Sequence, residues 1–121
     1  MEDYELTDAG DGRRLERFGE LIVDRPYAAA DDPRRAPERW QDAGLRFERE
    51  AGWRGAALDA ARAGWTTAIG HLRFELRPTA AGQVGLFPEH ADLVPWLRDR
   101  LAERGEAPAV LNLFAYTGLL T

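Results

Sequence analysis

The sequence predicts an α+β chain that leads into α/β. A β-rich amino-terminal module spans residues 1–86. From residue 87 to 121 follows the truncated beginning of a doubly wound domain: a helix, a first strand and a glycine-bearing loop. Three observations carry this. Leu72-Arg-Phe-Glu-Leu-Arg-Pro78 alternates strictly, with Leu72, Phe74 and Leu76 on one face and Arg73, Glu75 and Arg77 on the other. That is the pattern of a half-buried antiparallel strand. Val94, Leu97 and Leu101 recur at helical spacing, with Arg98, Asp99, Glu103 and Arg104 outside. Ala109–Phe114 shows no alternation, as expected of a strand covered on both faces. It runs into a small, polar turn, Ala115–Gly118, the junction at which α/β proteins hold ligands.

The elements follow in order. Asp8-Ala-Gly-Asp-Gly12 reads as a turn, because glycine and aspartate accept positive φ. Glu20-Leu-Ile-Val-Asp24 is a short β-branched strand ending at Arg25-Pro26, and a hairpin from about Arg13 to Arg25 follows. Pro33 and Pro37 break the next stretch. Pro37–Ala43 suits a short helix with proline in its first turn. Leu45, Phe47 and Trp53 are candidates for burial by a strand and loop, and Ala56–Ala63 for a helical turn or a loose insertion. Thr79–Gly82 is a turn, with Gln83–Phe87 the strand that partners Leu72–Leu76. Pro88 opens a helix, Pro95 kinks or restarts it, and Gly105 caps it before Pro108.

Bulk composition narrows the classes. A net charge of −5 over 121 residues argues against a basic nucleic-acid surface on this segment. There is no cysteine, which excludes disulfides, thiolate metal sites and a cysteine nucleophile from these residues. No apolar run approaches the roughly 20 residues of a membrane helix. MEDYELTDAGDGRR has no hydrophobic stretch and is not a signal peptide, so the reading is a cytoplasmic protein with no membrane partner. His71 and His90, the two histidines, lack metal-ligand spacing, so no metal is assigned. Trp40, Trp53, Trp65 and Trp96 read as packing rather than base-stacking residues. Arg13, Arg14 and Arg17 interleave with Glu16 and Glu20, as on a solvated hairpin face.

The candidate site is Asn112-Leu-Phe-Ala-Tyr-Thr-Gly118. Gly118 lets a backbone approach a ligand. Tyr116 and Thr117 offer hydroxyls, and Asn112 places an amide in an apolar strand, where it needs a partner. The plainer reading is a strand, a turn and a capped helix. GxGxxG and GxxxxGK[ST] are both absent, which disfavours a dinucleotide or P-loop phosphate site.

LNLFAYTG, Leu111–Gly118, resembles the first cofactor motif of a class I S-adenosylmethionine-dependent methyltransferase family that includes bacterial 23S rRNA methyltransferases. Three further segments resemble the same family in the same order: DAGDGRRLERFG (Asp8–Gly19), VDRP (Val23–Pro26) and RPTAAGQVGLFPEHADLVPWL (Arg77–Leu97). The resemblance implies an accessory β module ahead of a Rossmann-like methyltransferase core. It implies S-adenosyl-L-methionine as cofactor, lined by Asn112, Phe114, Ala115, Tyr116, Thr117 and Gly118, with Phe87 and Glu89 beside it. It implies RNA, ribosomal RNA above all, as the substrate of a parent enzyme, and leaves the catalytic residues unknown. The acidic residue that would hold the ribose and the motifs that would position an acceptor are not among these 121 residues. The expectation is therefore an amino-terminal portion, inactive alone and binding cofactor weakly or not at all. The alternative is a stand-alone β-rich binding module without catalysis.

Overall fold

A computed structural model describes residues 3–121 of the chain. It divides into two compact units, Met1–Gly85 and Leu86–Thr121. The first combines a five-stranded mixed sheet and a two-stranded sheet with few helices. Its elements are β1 (Tyr4–Gly10), β2 (Arg13–Phe18), β3 (Leu21–Pro26), β4 (Leu45–Glu48), β5 (Gly52–Arg54), α1 (Leu58–Arg62), β6 (Trp65–Ile69) and β7 (Leu72–Leu76). The second holds one helix, α2 (Leu93–Glu103). Among the described residues no helix is long and apolar enough to cross a membrane.

β1 to β5 form one sheet in chain order. Neighbours run antiparallel except β3 and β4, which pair in parallel through Val23–Leu45 and Asp24–Arg46. The expected hairpin over 13–25 is β2–β3, joined at Gly19-Glu20. The expected turn at 8–12 is shorter than its sequence suggests. Asp8, Ala9 and Gly10 stay in β1, and only Asp11 and Gly12 turn, both at positive φ. The ladder with β2 holds the three residues extended, which overrides their local turn preference.

Both faces of this sheet are covered. Phe18, Val23 and Leu45 lie on one face and Leu15 on the other, yet all four are fully buried. Each such side chain contributes about 1.5–3 kcal/mol by leaving water. Trp40 lies in the 3₁₀ turn Pro37–Asp42, where the proline-led helix is expected, and is buried. Its indole donates to Asp8 Oδ2 at 2.8 Å. Two other indoles also tie loops to fixed acceptors: Trp53 to the Thr79 carbonyl at 2.7 Å and Trp65 to the Phe18 carbonyl at 3.1 Å. Three of the four tryptophans thus pack and pin, as expected.

The alternating strand is β7, but its partner is β6 and not residues 83–87. A tight turn at Gly70-His71 closes this hairpin, with Gly70 at φ 58°. Residues 83–85 instead extend it by isolated bonds, Arg77 N to Val84 O and Thr79 N to Gln83 O. Val84 is fully buried. The β-branched run Trp65–Ile69 is the nearer and longer edge, so it takes the ladder.

Gly55 sits at φ 134°, and a Cβ there would collide with the Gly44 carbonyl oxygen. That oxygen accepts from the Ala57 amide at 3.0 Å, so it cannot retreat freely. Gly55→Ala is expected to destabilise the unit by more than about 2 kcal/mol. Urea unfolding followed by tryptophan fluorescence measures it, and an unchanged midpoint would contradict the close approach.

In the second unit, Pro88–His90 is a 3₁₀ turn and α2 restarts at Leu93. Pro95 is the third residue of α2. There its missing N–H removes no helical bond, so the helix begins around it rather than kinking. Gly105 ends the helix at φ 66°, as its position suggests. Residues 109–114 depart from expectation and form no strand. Val110, Leu111 and Leu113 are 62–80% exposed. A strand holds its shape through ladder bonds to a neighbour, and no described segment pairs with this one. α2 likewise buries no residue fully, and Leu93, Trp96 and Leu101 stay exposed.

Candidate functional site

Residues 112–121 fold as a run of tight turns. Gly118 N donates to the Ala115 carbonyl at 2.9 Å and Thr121 N to the Gly118 carbonyl at 3.0 Å. Phe114, Tyr116 and Gly118 all have positive φ, 56°, 54° and 90°. For glycine this is ordinary. For two bulky aromatics it is uncommon and stores about 1–3 kcal/mol each, a level of strain that clusters at ligand-binding loops. The conformation throws the Phe114 ring fully into solvent. A Cβ at Gly118 would meet only the Thr121 side chain, at 3.9 Å, so the space over its backbone is open.

The loop and the preceding 3₁₀ turn enclose a cavity of about 110 Å³ within the second unit. Phe87, Asn112, Phe114, Ala115, Tyr116 and Thr117 line it. Six of the eight residues expected at the site therefore come together. The Phe87 and Tyr116 rings lie 4.9 Å apart. Gly118 sits between the lining residues Thr117 and Leu119 without lining the cavity itself. Glu89 does not reach it: its side chain is exposed, on the solvent side of Pro88–His90. Asn112 Nδ2 donates to Thr121 Oγ1 at 3.0 Å, which satisfies the amide that the sequence left in need of a partner.

Sequence reasoning missed part of the lining. His90 stacks tilted on Phe87 at 5.6 Å and faces the cavity rather than open solvent. Leu119 and Leu120 close it from the carboxyl side. Leucines carry no chemical signal that would mark them. His90 lies in the same motif as Phe87, but a histidine at a helix start reads first as a surface residue.

The arrangement combines hydroxyls, one amide, open backbone, the Phe87 and Tyr116 rings and the His90 imidazole, with no carboxylate, lysine or arginine in the lining. It suits an organic ligand with both apolar and hydrogen-bonding parts. Enclosed sites for such ligands measure about 300–1,000 Å³. A cavity near 110 Å³ is well below that range.

The basic group at Arg13, Arg14 and Arg17 is not the solvated hairpin face its sequence suggests. Arg13 is buried and donates to Asp24 Oδ1 at 2.6 Å and to the Phe47 carbonyl at 2.7 Å. Arg14 lies on the opposite face, its guanidinium 4.9 Å from the centre of the Tyr27 ring. Both faces of β2 are covered, so alternation sends Arg13 and Arg14 inward on opposite faces, while Arg17 stays half-exposed beside Glu5.

No family model matches the chain, and no curated protein matches it. Among solved structures, a SAM-dependent methyltransferase from Agrobacterium tumefaciens is similar over 96% of the chain, with a TM-score of 0.85 and 35% identity. The chain spans 38% of that protein's length.

Proposed function

We propose that this chain is the amino-terminal portion of an S-adenosyl-L-methionine-dependent methyltransferase, whose core is Rossmann-like and whose substrate is RNA, in the cytoplasm. Residues 112–118 with Phe87 form one wall of its methyl-donor site. The observation that carries the reading is the LNLFAYTG loop, strained and open over Gly118, in a chain so similar to the Agrobacterium methyltransferase. The uncovered apolar surface of residues 110–114 and α2 supports a parent enzyme in which further strands and helices cover it.

When bound, the cofactor supplies an electrophilic methyl group. This chain's own contribution is positioning. Gly118 allows close backbone approach, Tyr116 and Thr117 offer hydroxyls, and the Phe87–Tyr116 pair is an aromatic surface suited to a sulfonium cation. Holding the donor in line with its acceptor lowers the barrier by removing the entropic cost of alignment. Glu89, exposed as it is, contacts cofactor only if the parent enzyme turns the ligand's tail toward Pro88–His90.

The test exchanges this chain for the matching segment of the Agrobacterium protein and measures S-adenosylhomocysteine binding by calorimetry. The chimera is expected to bind, and Gly118→Val to weaken binding at least about tenfold, equivalent to roughly 1.4 kcal/mol. The 121-residue chain alone is expected to bind far more weakly. Tight binding by the isolated chain would overturn the parent-enzyme part. A folded chimera indifferent to Gly118→Val would overturn the loop's assignment.

A further inference from the structure

In the first unit, a cleft of about 370 Å³ is lined by Arg14, Arg25, Arg49, Phe47 and the turn Ala80–Gln83, and by no acidic residue. The sheet register creates it. Arg14 and Arg25 are directly opposite on β2 and β3, so two guanidiniums share one face, an arrangement that repels unless it is compensated.

Compensation is partial. Glu16, fully buried, takes Arg25 through Nε at 2.9 Å and Nη2 at 2.6 Å. The same oxygen lies 3.2 Å from Arg14 Nε, but off the direction of a hydrogen bond, and that buried Nε has no acceptor. Arg49 is exposed and has no ion pair among the described residues. Three guanidiniums thus meet one carboxylate, an excess of two positive charges beside the cleft.

The walls are preorganised. Arg25, its side chain 3% exposed, is further held by Gln83 Oε1 at 3.1 Å. The turn behind it is pinned by the Trp53 indole at Thr79. Gly82, at φ 80°, lies so close to Phe47 that a Cβ would stand 2.5 Å from the ring. A rigid basic cleft loses little entropy when it takes a ligand.

We propose that this cleft binds a phosphate dianion, as in a phosphate monoester. A monoester carries about −1.5 to −2 charge at pH 7, which matches the excess of two. Guanidinium forks match its oxygens in pairs. The same group is offered by a nucleic-acid 5′ end or by a free phosphorylated small molecule. The cleft shares no residue with the methyl-donor loop, and the proposal stands without that reading.

The test follows the side-chain Nε–Hε signals of Arg14 and Arg49 by NMR while the chain is titrated with inorganic phosphate, a short 5′-phosphorylated oligonucleotide and its 5′-hydroxyl counterpart. Phosphate and the phosphorylated strand are expected to shift both signals, and the 5′-hydroxyl strand to leave them in place. R49Q should weaken phosphate binding about tenfold, as for loss of one charged hydrogen bond. R62Q, which removes an exposed arginine of α1 elsewhere, should not. A phosphorylated strand binding much more tightly than inorganic phosphate assigns the site to nucleic-acid ends, and equal binding assigns it to small molecules. The proposal is overturned if neither phosphate ligand moves the signals. It is also overturned if the 5′-hydroxyl strand moves them equally, or if R62Q weakens binding as much as R49Q does.

Discussion

Glu16→Ala is expected to destabilise the β-rich unit by about 3–5 kcal/mol, the loss seen when one partner of a buried ion pair is removed. Most small domains have about 5–15 kcal/mol in total, so the variant should unfold at much lower urea. Glu16 is fully buried. Its Oε2 receives the Arg25 fork and its Oε1 the Tyr4 hydroxyl, at 3.1 Å. Alanine leaves Arg25 charged and unpaired in the interior, opposite a second arginine. Burial, then the charge of Glu16 and the hydrogen bond to it, push the Tyr4 phenol above its ordinary range, so it remains a protonated donor that would also lose its acceptor. Glu16→Gln keeps the shape and one acceptor and should cost less. Replacing the pair, Glu16→Leu with Arg25→Met, should recover much of the loss, because the penalty comes from the uncompensated charge. A single Glu16→Ala loss under about 1 kcal/mol would show that Arg25 finds water or another acceptor.

The second large effect is at Asp8. Its carboxylate accepts the Trp40 indole at 2.8 Å and the amides of Ala36, Ala9 and Arg35 at 3.0, 2.9 and 3.3 Å. Burial by itself would raise its pKa. The Trp40 bond and then the three backbone bonds outweigh that and hold the carboxyl below the ordinary range. Asp8→Ala strands these donors, the buried indole first, and is expected to cost at least about 2 kcal/mol at neutral pH.

A lowered carboxyl pKa adds stability that is complete above the unfolded value, about 3.9 for aspartate. It is lost as pH falls through the folded value. Glu48 acts with the same sign. The Arg46 hydrogen bond lowers it first, against some burial, and the charges of Arg13, Arg46 and Arg54 add to the lowering. Stability should therefore fall below about pH 4, and the gap between the natural chain and Asp8→Asn should narrow there. Urea midpoints at about pH 7 and pH 3 measure both. Parallel losses in the two proteins would remove Asp8 from the account.

The local elements were legible because each rests on neighbours in sequence. The β2–β3 hairpin, the alternation of β7, the proline-led turn at 37 and the glycine cap at 105 are all set by propensity and spacing over a few residues. Asn112, Phe114, Ala115, Tyr116 and Thr117 were legible as a group because they are contiguous. Phe87 joined them through a second motif. Glu89 did not, because a single 3₁₀ turn decides on which side of Pro88 a side chain emerges.

The parallel pairing of β3 with β4 was not legible, since it joins residues about twenty positions apart across proline breaks. It places Arg46 beside Asp24. The covering of both faces of β2 was equally hidden, and it turns an expected solvated stripe into buried ion pairs. Nor could apolarity alone make a strand of 109–114, which lacks a ladder partner among the described residues.

The sequence by itself determined the hairpins, the turns and a contiguous loop with the donors and rings of a ligand site. Their causes are short-range: backbone preference, alternation and residue type. Only the tertiary structure decided where the charges go. One carboxylate on β2 holds an arginine from β3 because the register makes them neighbours, and the loop after β4 brings a third arginine that has no ion pair among the described residues. Charge balance is a sum over positions distant in sequence, so it exists only once the sheet has formed.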